Sequence, residues 1–148
     1  MPASEETLGF LVVDVARLFR HRFETALAAA GLGVTPGEAR TLHHLAAAGP
    51  MRQSLLAQRL GVEPMTLVGF LDRLERAGLI ARDPDPDDRR AKRIVLTDAA
   101  EAVLPTIRTV AAGVRAAATT GLDGDEVAAL RRALARMRAN LVSPEGAR

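Results

Sequence analysis

The chain contains no cysteine, tryptophan or tyrosine. Without thiols it has no disulfide framework, no thiolate metal site and no thiol redox switch of its own. Only four phenylalanines represent the aromatics, which weighs against β-sandwich and barrel folds, whose strands favour aromatic and β-branched residues. Lysine is nearly absent, Lys92 being the single one. No apolar run approaches the roughly 18 residues of a membrane span. Residues 1–6 are polar and acidic, without the basic and apolar regions of a signal peptide. A soluble, cytoplasmic protein with no membrane partner is therefore expected.

What is abundant is alanine and leucine, which dominate a 48% apolar fraction and favour helix. The 148 residues fit one domain, or one compact module with helical extensions. The isoelectric point of 10.3 overstates the basicity, because the formal charge is only +2. With almost nothing titrating between the α-amino group and arginine, a small arginine excess carries the value upward. Nucleic-acid binding must therefore be argued from where the arginines sit.

Leu8, Leu11, Val12, Val15, Phe19, Phe23 and Leu27 recur at three- and four-residue spacing, predicting a helix over 5–30 opened by Glu5 and Glu6. Phe10, Val13 and Leu18 lie off that stripe, so this helix is apolar over more than half its circumference, a surface that a second chain can cover. Thr35, Pro36 and Glu38 form a capping box with a first-turn proline, starting a second helix that runs to about Ala48. After the Gly49-Pro50 break, a short third helix carries Leu55, Leu56 and Leu60 and ends at Gly61. Pro64 opens a fourth, with Leu67, Leu71 and Leu74 as its buried stripe and Gly78 at its end. Two β-prone runs, 79–82 and 93–97, flank a Pro- and Asp-rich segment and read as a hairpin with a long tip. A fifth helix is expected from Thr97 as N-cap, with a bend or a broken first turn at Pro105. Asp123 and Glu126 make a second capping box ahead of Val127, Leu130, Leu134, Met137 and Leu141. The fold class is thus mainly α with a small β-hairpin wing, a winged helix-turn-helix between N- and C-terminal helices.

The stretch 60–97, LGVEPMTLVGFLDRLERAGLIARDPDPDDRRAKRIVLT, resembles the MarR (multiple-antibiotic-resistance regulator) family. The shared pattern comprises a recognition helix, Asp-Arg-Leu-Glu at 72–75, Gly-Leu-Ile at 78–80, Arg82, the Asp-Arg-Arg wing tip at 88–90 and Leu-Thr at 96–97. Gly121-Leu122-Asp123 with Glu126, and Leu130 with Leu134, extend the likeness into the last helix. Ala100 departs from it where many relatives carry glycine, and Pro105 puts the shape of the fifth helix in question. The resemblance implies a homodimer, with 1–34 and 98–148 as the helical dimerisation region and 35–97 as the DNA-binding lobe. It also implies a transcription regulator, a repressor by expectation, bound to a palindromic double-stranded DNA operator and released by a small aromatic or phenolic effector.

A recognition helix presents its N-terminal residues to base edges, while cations nearby hold phosphates. Here those residues are Pro64, Met65, Thr66 and Gly69, offering apolar contact and one hydroxyl, with Arg73 as the one cation of that face. The alternative reading makes Met65 and Val68 core residues, and for Val68 the two readings weigh equally. At the wing, Asp88, Arg89 and Arg90 resemble the family's Asp-x-Arg, which implies that Arg90 enters the minor groove and Asp88 orients it. A narrow minor groove rewards a guanidinium there. Segment 52–93 carries nine basic against seven acidic residues, so placement and not bulk charge must supply the attraction.

The aspartates at 83, 85, 87 and 88 do not make an EF-hand, because the sixth and twelfth positions are Asp88 and Ile94 where glycine and glutamate are needed. His43 and His44 point about 100° apart on a helix and so cannot chelate one ion together. Gly31 and Gly33 lack the third glycine and the preceding strand of a dinucleotide fingerprint. With no convergent acid, base and nucleophile, no enzyme, metal or cofactor is expected. An effector site is expected near the first, second and fifth helices, drawing on Phe19, His21, Phe23, His43 and His44, against the simpler reading of those residues as packing and surface. The competing function is a winged-helix module that docks a protein instead of DNA.

Overall fold

A computed structural model describes residues 6–142. The order is α1 (Leu8–Ala30), α2 (Pro36–Ala48), β1 (Met51–Arg52), α3 (Gln53–Leu60), α4 (Pro64–Arg76), β2 (Ile80–Pro84), β3 (Lys92–Leu96), a 3-10 turn (Asp98–Ala102), α5 (Leu104–Ala118) and α6 (Gly124–Val142). It is a winged helix, mostly helical with a three-stranded antiparallel sheet in the order β1-β3-β2. The described chain divides into two compact units, the boundary falling between Val114 and Arg115 inside α5.

Local chemistry sets the helix ends. Thr35 accepts from the Glu38 amide at 3.2 Å while Glu38 accepts from the Thr35 amide at 2.9 Å, the reciprocal box expected for α2. The same box starts α6, with both Asp123–Glu126 bonds at 2.8 Å. α1 begins later than its acidic lead-in implied. Thr7 caps it, accepting from the Phe10 amide, so Glu6 lies ahead of the helix and Glu5 outside the described residues. Gly31 at φ 62° ends it in the left-handed conformation that glycine adopts without a Cβ penalty.

The fifth helix also differs from its expected start at Thr97. Thr97 precedes the 3-10 turn and its hydroxyl donates to the Gly78 carbonyl; α5 proper starts at Leu104, with Pro105 in its first turn. There the missing N–H is one that a helix leaves unpaired anyway, so the proline breaks the chain before the helix and leaves the helix interior intact. The wing strands sit one or two residues from the predicted runs, leaving 85–91 as the tip.

The core lies in the first unit. Phe23 and Leu27 of α1, Ala39, Leu42 and Leu45 of α2, Leu56 and Leu60 of α3, and Leu67, Leu71 and Leu74 of α4 pack with Ile80, Ile94, Leu104 and Ile107. α4 thus shows its leucine stripe inward as the spacing predicted. α1 does not follow its own stripe: Leu8, Phe10, Leu11, Val13, Val15, Leu18 and Phe19 are all exposed. In the second unit α6 buries no residue, and Leu130, Leu134, Leu141 and Val142 face outward. Among the described residues no helix is long and apolar enough to cross a membrane.

Candidate nucleic-acid interface

Leu67, Leu71 and Leu74 anchor α4 by its inner face, which turns its N-terminal residues out. Pro64, Met65 and Thr66 are exposed, Met65 at 78%, so Met65 is no core residue; Val68 and Gly69 are half-buried. Glu63 leaves the first turn of α4 without a side-chain cap, so its amides remain open to an anion or to water.

Two ion-pair systems clamp the helix. Arg73, the candidate base or phosphate ligand, donates through Nε to Glu38 Oε1 at 2.6 Å, and its guanidinium lies 5.8 Å from the centre of the Phe70 ring. Glu38 is the capping residue of α2, and its side chain is only 7% exposed. A carboxylate so buried needs a partner, and Arg73 supplies it. Phe70 in turn sits end-on against Gly37 of α2. Opposite, Arg82 of β2 forks between Asp72 at 2.9 Å and Glu75 at 2.8 Å. The Asp-Arg-Leu-Glu motif is therefore structural in all four positions: Asp72 and Glu75 grip the wing, Arg73 grips α2, and Leu74 enters the core. Glu38 and Arg82, which the sequence reading left out of the site, set how α4 is held.

The wing tip is tightly wound. Asp88 Oδ1 accepts from the Arg90 amide at 3.0 Å, so it fixes the backbone of Arg90 and not, in this structure, its guanidinium. Arg89 and Arg90 are exposed and make no ion pair with any described residue. Two uncommitted guanidiniums on an ordered tip can reach phosphates or a groove.

Of the five effector-site candidates, Phe23 and His43 come together, their rings 5.9 Å apart and tilted by 43°. Phe19 and His21 are exposed on α1. His44 is half-buried, and its Nε2 has no hydrogen-bond partner among the described residues. A groove of about 410 Å³ exists elsewhere, in the second unit, where Val127, Leu130 and Leu134 are flanked by Arg115, Arg131 and Arg138. No group of three or more metal-ligating side chains occurs among the described residues.

Burial first, then the charge of Arg59 and the neighbouring His43, hold the His44 imidazole below its usual 6.5. The unfolded chain then takes up a proton more readily than the folded one, so stability is flat above that value and falls as pH drops below it, levelling beneath the folded pKa. Thermal unfolding across this range is expected to show that loss in the wild type and a smaller one in His44→Gln. An identical pH profile in the two proteins contradicts it.

This arrangement has relatives. The MarR family profile matches residues 34–92. Among solved structures, the transcriptional regulator PA3341 is 38% identical, with 91% of this chain and 98% of that one covered, at a TM-score of 0.78. A MarR-family regulator from Silicibacter pomeroyi is 25% identical over 93% of this chain and 92% of its own, at 0.79. Wild-type MarR of E. coli, in its apo form, is 25% identical over 91% and 98%, at 0.70.

Proposed function

The chain belongs to the MarR family of transcriptional regulators, and we propose that it acts as a homodimeric repressor that grips a palindromic DNA operator and lets go when a small aromatic or phenolic molecule binds. The observation that carries this reading is the pairing of an α4 clamped on both sides, its N-terminal face outward, with an ordered wing tip bearing free Arg89 and Arg90. Pro64, Met65, Thr66 and Gly69 then meet base edges, mostly by apolar contact, while the wing arginines take the backbone and the minor groove. Arg73 contributes mainly by orienting α4, since its Nε is committed to Glu38.

Residues 35–97 form the DNA lobe in this reading, and 1–34 with 98–148 the dimerisation region. The support is apolar surface: α1 exposes seven large apolar side chains and α6 four that water would otherwise cover. Two recognition helices must meet successive major grooves about 34 Å apart. An effector that prefers a lobe spacing misfitting the operator lowers affinity by that preference. The Phe23–His43 contact and the His44 Nε2 without a hydrogen-bond partner support an effector site drawing on those residues, while Phe19 and His21 are exposed on α1.

Selection from random duplexes, combined with a mass measurement in solution, tests the reading. A particle of twice the 15.7 kDa chain mass that enriches an inverted repeat is expected, and Leu130→Glu with Leu134→Glu is expected to give a monomer that enriches nothing. A wild-type monomer, or enrichment of no sequence, moves the protein-docking module to first place.

A further inference from the structure

The wing tip has an internal support that is separate from the groups offered to DNA. Arg52 lies on β1 and Asp85 just past the end of β2, and the sheet order places β3 between those strands. The Arg52 side chain nevertheless reaches Asp85, Nε to Oδ2 at 2.7 Å. Two strand spacings amount to about 10 Å, a gap that only a long side chain meeting a short acid can close. The other carboxylate oxygen of Asp85 accepts from the Asp87 amide at 2.8 Å, and the Asp85 amide donates to the Ala91 carbonyl at 2.9 Å. Ala91 donates back to the Asp88 carbonyl at 3.0 Å, and Asp88 holds the Arg90 amide. Both Asp85 oxygens are used and its side chain is 12% exposed, whereas 86–90 are open to solvent.

We infer that Arg52 and Asp85 are positioning residues for DNA binding: Arg52 fastens Asp85 to the base of the sheet, and Asp85 winds the tip so that Arg90 is presented in one preset conformation. The hydrogen bond from Arg52, followed by that from the Asp87 amide, holds the Asp85 carboxyl below the usual carboxylate range, as a committed acceptor requires. Ordering a long side chain before binding removes an entropic penalty at the moment of binding. The inference rests on the proposal that the wing meets DNA.

Its signature is a sign reversal. Deleting a carboxylate from a surface that approaches phosphates strengthens binding if that carboxylate is only a charge. The strut predicts the opposite. Anisotropy titrations on the selected duplex are expected to show Asp85→Ala and Arg52→Ala each weakening binding by about three- to tenfold. The double variant should be no worse than the poorer single one, because the two residues act through one contact. The salt dependence should keep its slope in Arg52→Ala, since no phosphate contact is lost. In the free protein, hydrogen exchange at the Asp87 and Arg90 amides should accelerate in both single variants. Tighter or unchanged binding by Asp85→Ala, a slope reduced by about one in Arg52→Ala, or unchanged exchange at those amides overturns the strut. Arg90→Ala, run alongside, separates the two levels: if it binds like wild type, the wing reading fails, and the exchange rates alone decide whether the strut orders the tip.

Discussion

Gly37→Val is expected to lower stability by about 1–3 kcal/mol, the usual penalty for overfilling a packed contact. Gly37 lies in the first turn of α2, and any Cβ there would overlap the tip of the Phe70 ring, with both ring Cε atoms 2.8 Å away. A ring that retreats gives up contacts, because Phe70 packs against the core and carries the Arg73 guanidinium near its face. Moving it disturbs the Arg73–Glu38 pair, and Glu38 also caps α2. A single added side chain thus loosens the helix start and the seat of α4 together. Urea unfolding checks this. The loss should shrink when Phe70→Ala is added, since the smaller residue vacates the contested space, and the two effects should be clearly non-additive. A neutral Gly37→Val, or strict additivity, contradicts the packing described.

Arg90→Ala is expected to weaken operator binding by about tenfold to a hundredfold while leaving the unfolding midpoint unchanged. The side chain is exposed and pairs with no described residue, so its removal takes nothing from the fold. In a dimer each operator meets two such arginines, and both losses count. Asp88→Ala should give a smaller loss, because it frees only the backbone turn that holds the Arg90 amide. Equal affinities for wild type and Arg90→Ala would remove the wing from the interface.

Much of this fold is legible in sequence because helix ends are governed by local chemistry. The capping boxes at Thr35 and Asp123 and the leucine stripe of α4 all involve residues within a turn or two of each other. The hairpin was readable from its Pro- and Asp-rich tip. β1 was not, since two residues carry no periodicity and become a strand only by pairing with Ile94 and Arg93. α1 was half legible: its apolar spacing was plain, but which residues Phe23 and Leu27 leave to solvent depends on what α2 covers.

The site divides in the same way. Exposed positions such as Thr66 and Arg90 follow from helix phase and from a loop between two strands, whereas Met65 had a core reading that only the structure removes. Arg73 was expected on the DNA face, and only the tertiary contact with Glu38, 35 positions away, reveals its other task. Arg52 and Asp85 are 33 positions apart, and neither residue type at either position announces the pair. Long-range ion pairs of this kind leave no local pattern, which is why the supports of the candidate interface were harder to read than its exposed residues.

The most direct measurement is an anisotropy titration of the wild-type chain against the duplex flanking its own gene, at two salt concentrations and with unrelated duplex as competitor. A DNA-binding regulator gives affinity in the nanomolar range, a strong fall with salt and a preference of about a thousandfold or more over the competitor. Binding that is weak and indifferent to sequence at low salt would contradict it.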